Sequence, residues 1–110
     1  MYRASTNDQS IILSFDPEQL LRLEVVYKQG DKIILTKTLD DMTPDPDNPR
    51  ILRWRLTQAE SNLFEAGEAL VQARYLAESM GPVDTCRPSP VMRVYVSDVL
   101  NDEVMAWADA

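Results

Sequence analysis

The sequence predicts an all-β protein, and three observations lead to that fold class. Apolar residues recur at every second position in six separate segments, which is the period of a half-buried strand. Gly, Pro, Asn and Asp lie between these segments at short intervals, as they do in turns. The chain has 110 residues, which is enough for one hydrophobic core and too few for two domains.

Three strands are predicted in the first part of the chain, over residues 10–15, 21–28 and 32–39. Alternate residues form the apolar face of each strand: Ile11, Leu13 and Phe15; Leu21, Leu23, Val25 and Tyr27; Ile33 and Leu35. Gly30 lies between the second and third strands and can adopt the positive φ of a tight hairpin turn. These two strands are therefore expected to form a hairpin.

A loop rich in Pro and Asp follows the hairpin. Residues 40–49 contain three prolines and four aspartates, a composition that excludes regular structure. The aspartates do not have the spacing of a calcium-binding loop, and Pro46 separates two of them. We interpret this segment as a solvated turn. The next strand covers residues 51–56, where Leu52, Trp54 and Leu56 share one face, so Trp54 is expected in the core.

Residues 57–80 allow two interpretations. Thr57 and Glu60 have the spacing of a capping box, and many helix-favouring residues follow, which is typical of one long helix. Gly67 would then lie inside that helix at a cost of about 1 kcal/mol relative to alanine. Beyond Gly67, apolar residues again alternate with polar ones. We therefore predict a helical turn over 57–63, a turn at 65–67 and a strand over 69–76, with the single helix as the alternative.

The last strand is predicted over residues 91–96, after a loop marked by Gly81 and Pro82. Together the elements predict a small antiparallel β-sandwich of immunoglobulin-like type, with about six to seven strands and one short helical turn. The whole chain, residues 1–110, is expected to be one domain. Residues 1–9 and 101–110 are expected to be flexible or partner-docking tails.

The composition argues against several kinds of chemistry. The chain has no histidine, which is the commonest general base and zinc ligand, and its single cysteine, Cys86, cannot form an internal disulfide. The three glycines are too far apart for a phosphate-binding loop. Carboxylates such as Glu60, Glu65, Glu68 and Asp98 remain the candidates for acid–base work. We predict a protein that is not an enzyme and that needs no metal or cofactor.

The charge and hydropathy exclude further classes. Acidic residues outnumber basic ones by 18 to 11, for a net charge of −7, and no basic stripe extends beyond Arg53 and Arg55. Nucleic-acid binding is therefore not expected. No apolar run reaches the roughly 18 to 20 residues that cross a bilayer, and the N-terminus lacks the pattern of a secretion signal, so neither a membrane nor export is expected.

The candidate interaction surface combines one strand face with the end of the chain. It consists of apolar, aromatic and basic residues: Trp107, Val104, Leu100, Tyr95 and Arg93. Tyr95 shares its predicted face with Arg93. Val104 and Trp107 have the spacing of a short amphipathic helix, or they dock on a neighbouring subunit, where aromatic residues are often buried.

The order of elements carries a resemblance over roughly residues 10–100. The hairpin is followed by a strand that runs into Leu56-Thr57-Gln58-Ala59-Glu60, then by Val71-Gln72-Ala73-Arg74 and by a closing Val94-Tyr95-Val96. This series resembles small β-sandwich proteins encoded in prophages of Gram-positive bacteria. It is also similar to the N-terminal modules of some phage baseplate proteins. The resemblance implies a structural role in the virion and brings no catalytic residues.

The function expected from these observations is that of a non-enzymatic assembly component of a phage or prophage particle, associated with the tail or baseplate. Its partners would be other phage structural proteins or further copies of itself, in the virion or in the bacterial cytoplasm before assembly. A ligand- or carbohydrate-binding module is the alternative, with Tyr75, Tyr95 and Trp107 as exposed aromatics. A small enzyme that uses paired carboxylates is a third hypothesis.

Overall fold

A computed structural model describes residues 1–77, 87–88, 91–101 and 103–105. These residues form two antiparallel sheets, so the predicted small β-sandwich is confirmed. The strands and the one α-helix are β1 (Asn7–Ile12), β2 (Leu20–Gln29), β3 (Lys32–Thr38), β4 (Thr43–Pro44), β5 (Ile51–Leu56), α1 (Gln58–Ser61), β6 (Gly67–Ala77), β7 (Arg87–Pro88) and β8 (Met92–Val96). Short 3-10 turns cover Pro17–Gln19 and Leu39–Asp41.

Along the chain, the strands alternate between two sheets, which we call sheet I and sheet II. Sheet I has the order β1-β5-β4. Sheet II has the order β3-β2-β6, and both β7 and β8 pair with β6 beyond that. The two last strands occupy different parts of β6, since β8 pairs with residues 67–71 and β7 with Arg74 and Tyr75.

The core lies between the inner faces of the two sheets, where alternate residues are buried as the sequence predicts. Sheet I contributes Leu52, Trp54 and Leu56, and sheet II contributes Leu23, Val25 and Tyr27. The indole Nε1–H of Trp54 donates a 3.0 Å hydrogen bond to the Tyr27 hydroxyl, which joins the sheets through the core. Phe64 closes one end and meets Tyr27 edge to face at 5.8 Å.

The ambiguous segment after β5 is a short helix followed by a strand, and the single long helix is wrong. Thr57 Oγ1 accepts from the Glu60 N–H at 3.2 Å, and the Glu60 carboxylate accepts from the Thr57 N–H at 3.0 Å. Helix α1 then ends at Ser61. Gly67 has φ +129°, a value open mainly to glycine, and it begins β6.

Two β-bulges correct the predicted faces of the hairpin strands. The pairing of β2 with β6 skips Leu21, so this side chain is exposed instead of joining Leu23 inside. The pairing of β2 with β3 skips Ile34, which puts Ile33 on the exposed side and leaves Leu35 against the core. A bulge inserts one extra residue in a strand, so the alternation changes face at that point.

The predicted N-terminal tail is part of the folded body instead. Residues 7–9 belong to β1, which begins three residues earlier than expected, and Tyr2 forms a parallel bridge with Ser97. At the other end, the Gln58 side-chain amide exchanges two hydrogen bonds with the backbone of Met105, at 2.8 and 3.1 Å. Predictions for Gly81, Pro82, Cys86 and Trp107 lie outside the described residues.

Candidate interaction surface

Two of the predicted interaction residues lie side by side on the outer face of sheet II. Tyr95 pairs across to Glu68, and Arg93 pairs to Leu70. Because Val94 and Val96 point toward the core, both Tyr95 and Arg93 point away from it. The Tyr95 residue is 70% exposed. Arg93 Nη1 lies 3.7 Å from the Glu68 carboxylate.

A second tyrosine joins this surface from the N-terminus. The Arg3 N–H donates to Ser97 O at 2.9 Å, and the Ser97 N–H donates to Met1 O at 2.7 Å, so Tyr2 stands beside Ser97. Ser97 follows Tyr95 by two residues, which places Tyr2 on the same face. Tyr2 is 58% exposed. We call the set Tyr2, Glu68, Arg93 and Tyr95 the tyrosine surface.

Sequence analysis missed Tyr2 for a physical reason. The residue stands outside every alternating segment, in a stretch that resembles a tail. Its position depends on hydrogen bonds to residues at the other end of the chain, and no local pattern reports such a pairing. The exposure of Tyr95 and Arg93, in contrast, follows from the alternation of β8.

The other predicted interaction residues lie elsewhere. Leu100 and Val104 are exposed on the segment after β8, which has no helix over 99–101 or 103–105. The hydrogen bonds between Met105 and Gln58 hold this segment against α1. Trp107 lies outside the described residues. The structure thus brings Tyr95 and Arg93 together and places Leu100 and Val104 on a neighbouring segment.

Tyr75, one of the aromatics considered for sugar binding, belongs to the inner side of sheet II. It is partly buried and packs against the core, and its ring stacks on Phe15 with the centroids 5.3 Å apart. A ring held in this way does not present an open face to a sugar. The prediction that Tyr75 is an exposed binding aromatic is therefore wrong.

Three of the carboxylates considered for acid–base chemistry, Glu60, Glu68 and Asp98, each lie beside a cation of their own. Glu60 is 2.6 Å from Lys37, and Asp98 is 2.9 Å from Arg3. Burial works to raise the pKa of Glu60, but hydrogen bonds from Lys37 and from the Thr57 N–H outweigh it and lower that pKa. The Val99 N–H and Arg3 lower the pKa of Asp98. Both groups are therefore anions near neutral pH, as structural ion pairs require.

The aspartate-rich loop is organised by its own hydrogen bonds. Asp45 accepts from the backbone N–H groups of Asp47 at 2.8 Å and Asn48 at 3.2 Å, and from Arg53 at 2.6 Å. These contacts, the Asp47 N–H first, lower the pKa of Asp45. Within the described ranges, no group of three or more acidic or cysteine side chains is placed to hold a metal ion. The prediction that residues 40–49 exclude regular structure is wrong at the start of this segment, because a 3-10 turn covers Leu39–Asp41 and Thr43–Pro44 form strand β4. After β4 the segment is a loop held by the hydrogen bonds of Asp45.

An open cleft of about 560 Å³ lies at the opposite end of sheet II. Its wall includes the bulged Leu21, the ion pair of Glu24 with Arg74, and Asp40 from the turn after β3. The mixture of both signs of charge with leucine side chains does not select one class of ligand. In the part of the chain that the structure covers, no helix is long and apolar enough to cross a membrane.

No protein family, no curated protein and no solved structure matches this chain.

Proposed function

We propose that this protein is a non-enzymatic assembly component of a phage or prophage particle, associated with the tail or baseplate. One observation carries the proposal, namely the tyrosine surface on the outer face of sheet II. Tyrosine and arginine are the residue types that dominate the energetic centres of protein interfaces. Here they stand exposed on a strand whose other face is packed in the core, so they form a rigid patch for a partner protein.

The energetics of this patch favour a role in binding over a role in stability. The ion pair of Arg93 with Glu68 is exposed on both sides, and such pairs contribute only about 0 to 1 kcal/mol to folding. Tyr95 likewise buries little of its area within the chain. A partner that covers these groups would gain contact area at small cost in side-chain entropy, because a tyrosine has few rotatable bonds.

The net charge of −7 indicates the character of the partner surface. A protein with excess negative charge associates faster with a surface that carries positive charge. We therefore expect the partner to present basic residues around an apolar centre that receives Tyr95. Its binding rate should fall as salt concentration rises.

The test uses particles induced from the source strain and purified. We expect mass spectrometry to detect this protein in the particles. We expect Tyr95→Ala and Arg93→Ala to lower its incorporation at least tenfold, as for residues at an interface centre. Thr36→Ala is the matched control, because Thr36 is exposed on the far edge strand of sheet II. Absence from the particles, or normal incorporation of both variants, contradicts the proposal.

The second candidate function is carbohydrate binding, and the pair Tyr2 and Tyr95 on one face favours it. Two exposed aromatic rings offer flat apolar contacts, and Arg93 and Glu68 beside them supply hydrogen-bond donors and acceptors. We expect a glycan array to show binding that Tyr2→Ala and Tyr95→Ala abolish. An array without binding contradicts carbohydrate binding. It does not bear on the assembly role, which the experiment on particles tests.

A further inference from the structure

The outer side of β1 carries a row of backbone groups with no partner in the described structure. The Leu13 N–H donates to Arg50 O at 2.8 Å, in register with the pairing of β1 and β5. Groups in an antiparallel pair point alternately to one side and the other, so Asn7, Gln9 and Ile11 also point to β5. The N–H and C=O groups of Asp8, Ser10 and Ile12 therefore point outward from the sheet edge.

The other sheet edges carry features that discourage pairing. On β3, Lys37 points inward and Ile34 forms a bulge. Strand β4 has two residues, one of them Pro44. On β8, the Tyr95 carbonyl and the Ser97 backbone are occupied by residues of the N-terminus. Inward lysines, bulges, prolines and covering segments are the usual means by which proteins protect a sheet edge.

Among the residues that the structure describes, none of these features protects strand β1. Its six residues contain no proline and no lysine, and the register with β5 is unbroken from Asn7 to Ile12. A straight, unprotected edge strand is the kind that pairs with a strand of another chain. The contrast with β3, β4 and β8 marks β1 as the edge that is built for pairing.

Exposed apolar residues surround this edge. Ile12, at the end of β1, is 72% exposed, and Met92, at the start of β8, is 65% exposed. Met92 and Ser10 line the same small apolar cavity of about 90 Å³, which opens between the two sheets above Trp54. Apolar side chains beside unpaired backbone groups provide the buried area that hydrogen bonds alone do not supply.

We infer that two copies of this chain pair through β1 in antiparallel fashion, about a two-fold axis at Ser10. The outward groups of Asp8, Ser10 and Ile12 are symmetric about Ser10, so each meets its complement in the second copy. Asp8 pairs with Ile12 of the other copy, and Ser10 with its own equivalent. Sheet I becomes continuous across the dimer, and the two Met92 side chains approach each other beside the axis.

The charges of β1 are compatible with this arrangement. Asp8 is the single charged residue of the strand, and it already forms an ion pair with Arg55 at 2.9 Å. In the proposed register, the two Asp8 residues are four positions apart along the strand, about 13 Å, where their repulsion is largely screened. In the dimer, the outer edge of β1 in each copy is paired, so no β1 edge remains for a third copy and the assembly closes at two copies. This inference does not depend on the tyrosine surface, which lies on sheet II.

Disulfide trapping tests the register. In a Cys86→Ser background, Ser10→Cys places two thiols across the axis. Directly opposite residues of a hydrogen-bonded pair have Cα atoms about 5.5 Å apart, within the roughly 4.4–6.8 Å range of disulfides. We expect mild oxidation to give a covalent dimer. Thr36→Cys, on the edge strand β3, is the matched control and should remain a monomer on a denaturing gel. Equal cross-linking at both positions, or none at Ser10, overturns the inference.

Light scattering coupled to size-exclusion chromatography tests the dimer without a cross-link. We expect the wild-type chain and Thr36→Lys to have twice the chain mass, and Ser10→Lys to dissociate at least tenfold more readily, because like charges opposite each other destabilise strand pairs. Tyr95→Ala should stay dimeric, which separates this surface from the one in the proposed function. A wild-type monomer up to millimolar concentration, or a Ser10→Lys dimer as tight as wild type, overturns the inference.

Discussion

The hydrogen bond between Trp54 and Tyr27 is the polar contact at the centre of the core. The Tyr27 residue is almost fully buried, and burial, partly offset by the bond from Trp54, raises its pKa from 10.0 to about 12. A buried donor and acceptor that satisfy each other cost little, but either one alone in an apolar core costs the full desolvation free energy. The pair therefore also fixes how sheet I sits on sheet II.

We expect Tyr27→Phe to lower the free energy of unfolding by about 1–3 kcal/mol, because it leaves the Trp54 N–H without its acceptor. Urea unfolding followed by Trp fluorescence at pH 7 measures this change. Phe15→Leu is a control that alters a peripheral aromatic and touches no buried polar group. A Tyr27→Phe variant as stable as wild type would show that the hydrogen bond adds nothing.

The same residue predicts the alkaline behaviour. Because its folded-state pKa is raised, the protonated hydroxyl stabilises the fold fully below pH 10, and this contribution disappears as pH rises through about 12. We expect the free energy of unfolding of the wild type to fall between pH 10 and about 12, and that of Tyr27→Phe to fall less. Unfolding midpoints in urea at pH 9 and pH 11 test this, and equal losses in both proteins would contradict it.

The ion pair of Lys37 with Glu60 responds to acid. The Lys37 side chain is only 12% exposed, so it depends on the Glu60 carboxylate at 2.6 Å. The folded-state pKa of Glu60 is below its ordinary 4.5, so its contribution is present above pH 4.5 and disappears as pH falls through the lowered value. We expect Glu60→Gln to cost roughly 1 kcal/mol at pH 7 and less at pH 3.

Urea unfolding at both pH values measures this difference. Asp8→Asn is the matched control, because it removes the carboxylate of an ion pair that is exposed on both sides, and it should change stability little at either pH. A cost of Glu60→Gln that persists unchanged at pH 3 would show that the amide disturbs packing rather than charge.

At the scale of elements, alternation locates the strands but not the irregularities within them. Leu23, Val25 and Tyr27 are buried as predicted, because an unbroken period of two points them to one side. Ile33, Ile34 and Leu35 are three apolar residues in a row, so the pattern cannot show which one the bulge skips. The position of the bulge depends on how β3 pairs with β2, so it cannot be predicted from the sequence of β3 alone.

The helical turn shows how a local signal succeeds. The Thr57 and Glu60 capping box is complete within four residues, so it can be recognised before any tertiary contact is known. The tyrosine surface shows the opposite case. Its Tyr95 half follows from the alternation of β8, whereas Tyr2 depends on a pairing between the two ends of the chain that has no local signal.

We expect Thr57→Ala to lower the free energy of unfolding by about 1 kcal/mol, because the Glu60 N–H loses its acceptor at the start of α1. Thr57→Ser keeps the hydroxyl and should behave as wild type. Thermal unfolding followed by circular dichroism compares the three proteins. If the serine variant loses as much stability as the alanine variant, packing of the Thr57 methyl group and not capping explains the loss.

At the scale of the whole molecule, Arg3 connects three parts of the chain at one end of the sandwich. Its Nε–H donates to Phe64 O at 2.7 Å, in the link between α1 and β6, and Nη1 donates to Asp98 at 2.9 Å, after β8. Its backbone N–H donates to Ser97 O at 2.9 Å. The guanidinium thus ties the N-terminus to the segments that enter β6 and leave β8, and it holds Tyr2 in place.

We expect Arg3→Ala to lower the free energy of unfolding by about 2 kcal/mol, because hydrogen bonds to a charged group are lost and the Phe64 carbonyl loses its donor. For a chain of this size, that corresponds to a fall in Tm of roughly 8 °C or more. The Tm of Arg3→Lys should lie between those of the wild type and Arg3→Ala, since an ammonium cannot reproduce the planar fork of a guanidinium. Differential scanning calorimetry gives the Tm values.

Arg55→Ala is the matched control, because Arg55 forms an exposed ion pair with Asp8 and its loss should cost about 0.5 kcal/mol or less. Hydrogen exchange adds a local measure. In Arg3→Ala the amide of Ser97, which donates to Met1 O, should exchange faster, while the amide of Leu13, which donates to Arg50 O, should keep its protection. If Arg3→Ala unfolds at the same temperature as Arg55→Ala and Ser97 stays protected, then β8 holds the N-terminus through backbone pairing alone, and the position of Tyr2 does not depend on the guanidinium.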